Sequence, residues 1–339
     1  MTTPSTARVT PERIQQLAWG YAPPLILEAA IRHRVFDVLD GGAKTVAEVA
    51  NETSASERGL AAVMNALVGL DFLAKDGQAR YSLTPESASF LVSHKPSFMG
   101  GMIRHGSGQL IPKWLHLNEV VATGHPAAAV NQQGDGTEFF EQFVNDIFPL
   151  SYPAAQALAK YLDCNVEGRM IRVLDLAAGS GVWGIAQAQC SDAVHVTVVD
   201  WAGVIPATRK TVAKFGLSDR FTFVEGDLDK ADFGSGHDVA TLGHILHSEG
   251  KERSRALFSK TFKALKSGGT IAIAEFLVNR DRTGPLNALL FAVNMLVNTD
   301  TGDTYSFEEI AEWLTAAGFV NARTLEAPGP SPLILATKP

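Results

Sequence analysis

The second half of the chain carries a pattern that few folds can accommodate. From residue 170 onward, RVLDLAAG, VHVTVVD, FTFVEGD, HDVATLGHI and TIAIAEFLV are short runs dense in Val, Ile and Leu, separated by segments of helical length. A strand with one wet face alternates apolar and polar residues. These runs are apolar throughout, so both faces must be covered, which implies a parallel sheet between helical layers. The ending departs from that pattern. NARTLEA and SPLILATKP are joined through APGPSP, which leaves no room for a crossover helix, so the last two strands should be antiparallel. The fold class is α/β.

The first half reads differently. TVAEVANETSASERGLAAVMNALVGLDFLAKDGQARYSLT (45–84) predicts a short helix, a polar turn, a second helix and two strands around Asp76-Gly77, a hairpin signal. Ser56 with Glu57 starts the second helix, and Leu60, Val63, Met64, Leu67 and Leu70 share one of its faces. The order is that of a winged helix. Such units often bind DNA, but this second helix is apolar apart from Arg58 and Asn65, and the net charge of −7 repels phosphates. Packing or dimerisation is the better reading. Residues 96 to 165 predict helices linked by Gly- and Pro-containing turns. There Phe139, Phe140, Phe143 and Ile147 fall at helical spacing, for core packing or for lining an apolar pocket. The expected domains are 1–100, 101–165 as a helical linker contributing to a substrate pocket, and 166–339.

Composition narrows the class further. With 339 residues, 46% of them hydrophobic and 19% charged, the chain suits a compact soluble protein with a large core. Cys164 and Cys190 are too few for a disulfide framework and read as small buried fillers. The N-terminus is polar, and the longest apolar run, LNALLFAVNMLV (286–297), is too short for a membrane span and carries two asparagines. Cytoplasmic residence is expected, with neither nucleic acid nor membrane as a partner.

RVLDLAAGSGVWGIAQAQ places Gly179, Gly181 and Gly184 in GxGxxG spacing between a strand and a helix. Glycines there let a ligand approach the backbone, and a helix start offers free N–H groups. The spacing suits NAD, and an NAD-dependent oxidoreductase is the alternative to weigh. Asp175, four residues before Gly179, could receive an ammonium or brace the loop, and would repel a pyrophosphate. Asp200 ends the next strand in VVDW and can accept both ribose hydroxyls, as in NAD sites. Gly226-Asp227 after the third strand puts a second acceptor where an adenine amino group would lie. With the antiparallel ending, the set favours a nucleoside over a dinucleotide.

These motifs, in this order and followed by Lys-Ser-Gly-Gly before the fifth strand, resemble those of class I S-adenosylmethionine (SAM)-dependent methyltransferases. The winged helix narrows the resemblance to the small-molecule O-methyltransferases of caffeate, acetylserotonin and polyketide type, over nearly the whole chain. It implies a Rossmann-like, mostly parallel sheet with an antiparallel last strand, a winged-helix dimerisation domain at 1–100, a SAM-binding domain at 166–339 and a homodimer. Ala177, Gly179 and Gly181 would contact the methionine part of SAM. Asp200 would hold the ribose, Asp227 and Leu228 the adenine, and Trp201 would lie on the adenine face or serve as plain core.

The resemblance also assigns chemistry. In LGHILHSEG (242–250), His247 falls on the family's general base, and Glu275 in TIAIAEFLV on the glutamate that orients it. A base with a pKa near 7 helps deprotonate a phenol. His244 falls where the family has a bulky aromatic beside the cofactor, and Gly243 where a lysine is common. The loop NTDTGDTYSFEEI offers Asp303 or Thr304 where a second glutamate is usual, which leaves nitrogen, sulfur or carbon acceptors open beside oxygen. Asn287, Phe291, Asn294, Met295 and Asn298, on one helical face or its edges, would line the pocket of a small aromatic or polyketide-like acceptor, together with Phe143. No metal is expected. A SAM-binding member that does not methylate is a further alternative.

Overall fold

The computed structural model describes residues 9–126, 129–130, 144, 146–163 and 169–339. The chain divides into two compact units, Met1–Gly108 and Gln109–Pro339.

In the first unit, helices α1 (Ala22–Arg32), α2 (Val46–Thr53) and α3 (Glu57–Gly69) precede the antiparallel pair β1 (Leu73–Lys75) and β2 (Tyr81–Leu83). Thr45 caps α2 in a reciprocal box with Glu48, and the Ser56 hydroxyl accepts the Gly59 N–H to open α3. An isolated antiparallel bridge pairs Lys44 with Tyr81 beside this hairpin. Leu60, Met64 and Leu67 are buried with Phe36, Val49 and Tyr81 in one cluster, while Val63 packs against its margin. The winged-helix order predicted from the sequence is the order observed.

The second unit is built on seven strands: β3 (Ile171–Leu176), β4 (Val194–Asp200), β5 (Phe221–Glu225), β6 (His237–Gly243), β7 (Leu265–Ala274), β8 (Val320–Leu325) and β9 (Leu333–Thr337). Their order in the sheet is β5-β4-β3-β6-β7-β9-β8. The pairs from β5 through β7 are parallel, and β9 runs antiparallel to both β7 and β8. Helices α4 (Phe148–Leu162), α5 (Val182–Cys190), α6 (Ile205–Lys214), α7 (Leu246–Ala264), α8 (Leu286–Asn298) and α9 (Phe307–Ala316) accompany this sheet. One connection differs from the sequence expectation: residues 226–236, between β5 and β6, contain no helix.

Chain direction across the sheet reverses at β3, whose neighbours are β4 and β6. Ligands of open α/β sheets bind at the carboxyl ends of strands flanking such a reversal. Ala177, Asp200, Asp227, His244 and Glu275 all lie at or just beyond those ends. Cys190 is exposed at the end of α5, which corrects its reading as a buried filler: it follows the last buried turn of that helix. Cys164 lies outside the described residues.

Candidate active site

Between β3 and α5 the backbone turns through left-handed conformations at Ala177 (φ 50°), Gly179 (φ 55°) and Gly181 (φ 78°). At Gly181 a Cβ would also sit 3.0 Å from the Thr208 methyl, so both space and backbone require glycine. Gly184 is enclosed more tightly: a Cβ there would lie 2.7 Å from Val196. The third glycine of the motif therefore serves helix–sheet contact and the first two serve the turn.

Asp175 reaches this loop only as a brace. It is fully buried, and its carboxylate accepts the Gly184 N–H at 2.9 Å and the Thr241 hydroxyl at 2.7 Å. Burial outweighs those bonds and lifts its pKa to about 7. Asp200 is held by the N–H groups of Gly179 (2.7 Å) and Trp201 (2.7 Å), one on each oxygen. Burial raises it to about 6 against those two donors. Each oxygen of Asp200 keeps a further lone pair, which is what a vicinal diol needs.

Past β5, Asp227 accepts from the Asp229 N–H (2.9 Å), from Arg253 (3.0 Å) and from the Trp201 side chain. Burial works to raise its carboxyl, but these donors hold it below the usual range. Trp201 thus reaches Asp227 through its indole N–H. The Leu228 side chain belongs to the core. A carboxylate for a ribose, a second for an exocyclic amine and a left-handed glycine turn between strand and helix fit an adenosyl group with an amino-acid tail.

His247 opens α7 at the end of β6, and Glu275 follows β7. The two meet at 2.7 Å between Nδ1 and Oε2. Glu275 Oε1 accepts the backbone N–H of Leu246 (2.6 Å) and of His247 (3.3 Å), and Oε2 also accepts that of Phe276 (3.3 Å). Burial works to raise this carboxyl, yet His247 and those donors keep it below the ordinary glutamate range. An ionised carboxylate only accepts, so His247 Nδ1 carries a proton, and in the neutral form of the ring the lone pair is on Nε2.

His244 stands beside this dyad with a left-handed backbone (φ 59°). A nitrogen of its ring shares a space with a nitrogen of His247 and an oxygen of Glu275, all within 4.8 Å of one another. Burial pushes its pKa down to about 4, so the ring is neutral at pH 7, and its buried Nδ1 has no hydrogen-bond partner among the described residues. Gly243 has a steric explanation. A Cβ at this position would fall 1.9 Å from the Trp183 indole nitrogen. Trp183 fills the space that a side chain at position 243 would need.

Beside the dyad, Phe291 of α8 meets the His247 ring edge-on (centroids 4.8 Å apart) and stacks on Phe276 (3.9 Å). Phe276 also faces His244 at 5.2 Å. Asn294, one turn beyond Phe291, is pinned through Oδ1 by the Trp114 indole N–H (2.9 Å) and the Asn298 amide (3.1 Å). Among the described residues no hydrogen bond engages its own amide N–H groups. Met295 and Asn298 are buried, and Asn298 also bonds to the Asn294 carbonyl (2.8 Å). The buried Oδ1 of Asn298 has no hydrogen-bond partner among the described residues, and Asn287 is exposed in the first turn without a side-chain hydrogen bond among them. Phe139, Phe140 and Phe143 lie outside the described residues.

Asp303 and Thr304 do not bring a second polar side chain to His247. The Asp303 carboxylate accepts the Thr304 N–H (2.7 Å) and lies 3.8 Å from Arg282, and the Thr304 hydroxyl turns to the Ala288 carbonyl (3.4 Å). The contribution of this loop is through backbone: the Asp303 N–H donates to the His247 carbonyl at 2.9 Å. Sequence reasoning passed over Phe276, Trp114, Trp183 and Arg253. Phe276 was accessible to it, since it follows Glu275 directly. The others are set by contacts distant in sequence.

Residues 115–320 match the family model of the O-methyltransferase domain, and residues 15–93 that of the O-methyltransferase dimerisation domain. The chain is 30% identical to the 3-hydroxy-5-methyl-1-naphthoate 3-O-methyltransferase of Streptomyces sahachiroi, over 97% of this chain and 95% of that one. It is 27% identical to the tetracenomycin polyketide synthesis 8-O-methyl transferase TcmO of Streptomyces glaucescens, over 99% of each. The fold superposes on human N-acetylserotonin methyltransferase in complex with SAM with a TM-score of 0.85, at 24% identity, over 99% of both chains. Among the described residues no helix is long and apolar enough to cross a membrane. The glycine turn, the Asp200 and Asp227 acceptors and the two matched domains agree, and the chain belongs to the SAM-dependent O-methyltransferase family.

Proposed function

We propose that the protein transfers a methyl group from SAM to a hydroxyl of a small aromatic or polyketide-like metabolite, with His247 as general base. The observation that carries this reading is the 2.7 Å contact between His247 Nδ1 and Glu275, which leaves Nε2 free to take a proton beside Phe291. SAM supplies a methyl group already activated by its sulfonium. The protein's work is then alignment and proton removal. Asp200 and Asp227 hold the nucleoside, and the turn through Ala177, Gly179 and Gly181 surrounds its amino-acid tail. Phe276 and Phe291 form a flat apolar wall for the acceptor ring, and the Asn294 amide offers a polar contact one turn along. His247 takes the acceptor's proton at Nε2, and Glu275 stabilises the imidazolium that results.

The names of the relatives, a hydroxynaphthoate and a polyketide enzyme, favour an aromatic hydroxyl. A second reading, methylation at nitrogen, draws on the relative named N,N-dimethyltransferase OxyT (25% identical) and on the lack of a second carboxylate at His247 from the 299–304 loop. A panel of phenols, amines and thiols with methyl-labelled SAM separates the two. Phenols should gain one methyl group, and label appearing only in amines would overturn the hydroxyl assignment. We further propose that the 1–100 region joins two copies into a homodimer.

A further inference from the structure

The helix that begins at His247 also grips the loop that follows β5. Arg253 donates through Nε to Glu249 (2.6 Å), through one terminal nitrogen to Asp227 (3.0 Å), and through the other to Asp229. Lys260, seven residues further along α7, donates to the carbonyls of Leu228 (2.6 Å) and Asp229 (3.1 Å). Glu249 is buried and lies two residues beyond His247, so a single guanidinium spans the turn that bears the base and the acid facing the adenine position. The planar fork of arginine holds three carboxylates at fixed separations, whereas an ammonium at the end of a flexible stem is a single point charge with no such geometry. Without it, Asp227, Asp229 and Glu249 would repel one another. Asp227 would keep only the Trp201 side chain and the Asp229 N–H.

We propose that Arg253 is a positioning residue for cofactor recognition: it fixes the Asp227 carboxylate for the adenine amino group and, through Glu249, ties that loop to the His247 turn. This rests on the SAM reading of the site. A residue with that role sets how well the protein tells an amino group from a carbonyl at the purine, which a merely structural ion pair would not.

The test is calorimetry with S-adenosylhomocysteine and S-inosylhomocysteine, in which a carbonyl oxygen replaces the amino group, on the wild-type chain, Arg253→Gln and Arg253→Lys. The wild type should prefer the adenosyl compound by about tenfold or more, the worth of one hydrogen bond to a charged group. The preference should fall below about threefold in both variants, with the inosyl affinity little changed. In the wild type the imidazole ¹⁵N resonances of His247 should also move on S-adenosylhomocysteine binding, and less so in the variants. Equal weakening of both ligands with the preference intact would overturn the proposal, as would a wild type without preference. If Arg253→Gln fails to fold, Arg253→Lys, which retains the charge and stem, decides. Binding of neither nucleoside by the wild type would overturn the SAM reading itself.

Discussion

A histidine becomes a base when something fixes which of its nitrogens holds the proton. Here that is Glu275, whose carboxylate is filled by donors and leaves Nε2 of His247 as the acceptor. His247→Ala is expected to lower turnover by about 10²–10⁴-fold while the affinity for S-adenosylhomocysteine stays within a few-fold, as read by initial rates and calorimetry. Glu275→Gln should lower turnover less, because the amide can still bond to Nδ1 but supplies no charge for the imidazolium. Asp200 carries a pH dependence. Its pKa of about 6 means that it takes up a proton as pH falls through that value and then loses acceptor capacity toward the ribose. Cofactor affinity should therefore rise between pH 5 and 7 and then level off, and Asp200→Asn should bind weakly with that rise removed. Asp175 works through stability. Its folded pKa of about 7 lies above its unfolded value, so its contribution is present below about pH 4 and is lost as pH rises through about 7. Denaturant melts of Asp175→Asn should show a flatter stability profile across that window than the wild type.

At the scale of elements, β6 and α5 meet closely at one point. Trp183 in the first turn of α5 takes the volume beside Gly243, so a side chain at that position has no room here. Gly243→Ala should destabilise the protein by about 1–3 kcal/mol in thermal or chemical melts, through overpacking against the indole. Gly243→Lys should be worse alone and partly rescued by Trp183→Ala, a non-additivity expected only of residues in contact. Neither partner could be paired with the other from sequence, because they are sixty positions apart and meet through the sheet. The strands themselves were legible, since runs apolar on both faces predict a doubly covered parallel sheet, and the short APGPSP link predicts the antiparallel end that β8 and β9 form. The helix-free connection at 226–236 was not, because its residues carry no periodicity against which to set the segment lengths.

For the whole molecule, the N-terminal unit exposes Ile14, Leu17, Trp19, Tyr21 and Leu25 along residues 14–25, more apolar surface in one stretch than a solitary unit is expected to leave wet. With the dimerisation domain matched over 15–93, a second copy is the expected cover. Sedimentation should give a dimer, and Leu17→Asp with Trp19→Asp should shift it toward monomer. The amino-acid sequence by itself determined the sheet class, the winged helix and the acids and histidines that stand at strand ends, because hydrophobic period, turn chemistry and glycine spacing are local properties. Only tertiary structure decided what those positions do. It enclosed Asp175 as a brace, turned Asp303 and Thr304 away from His247, and placed Phe276 against Phe291 and Arg253 among three acids. These outcomes depend on which distant side chains compete for the same space and the same hydrogen bonds, and no periodicity in a single chain records that.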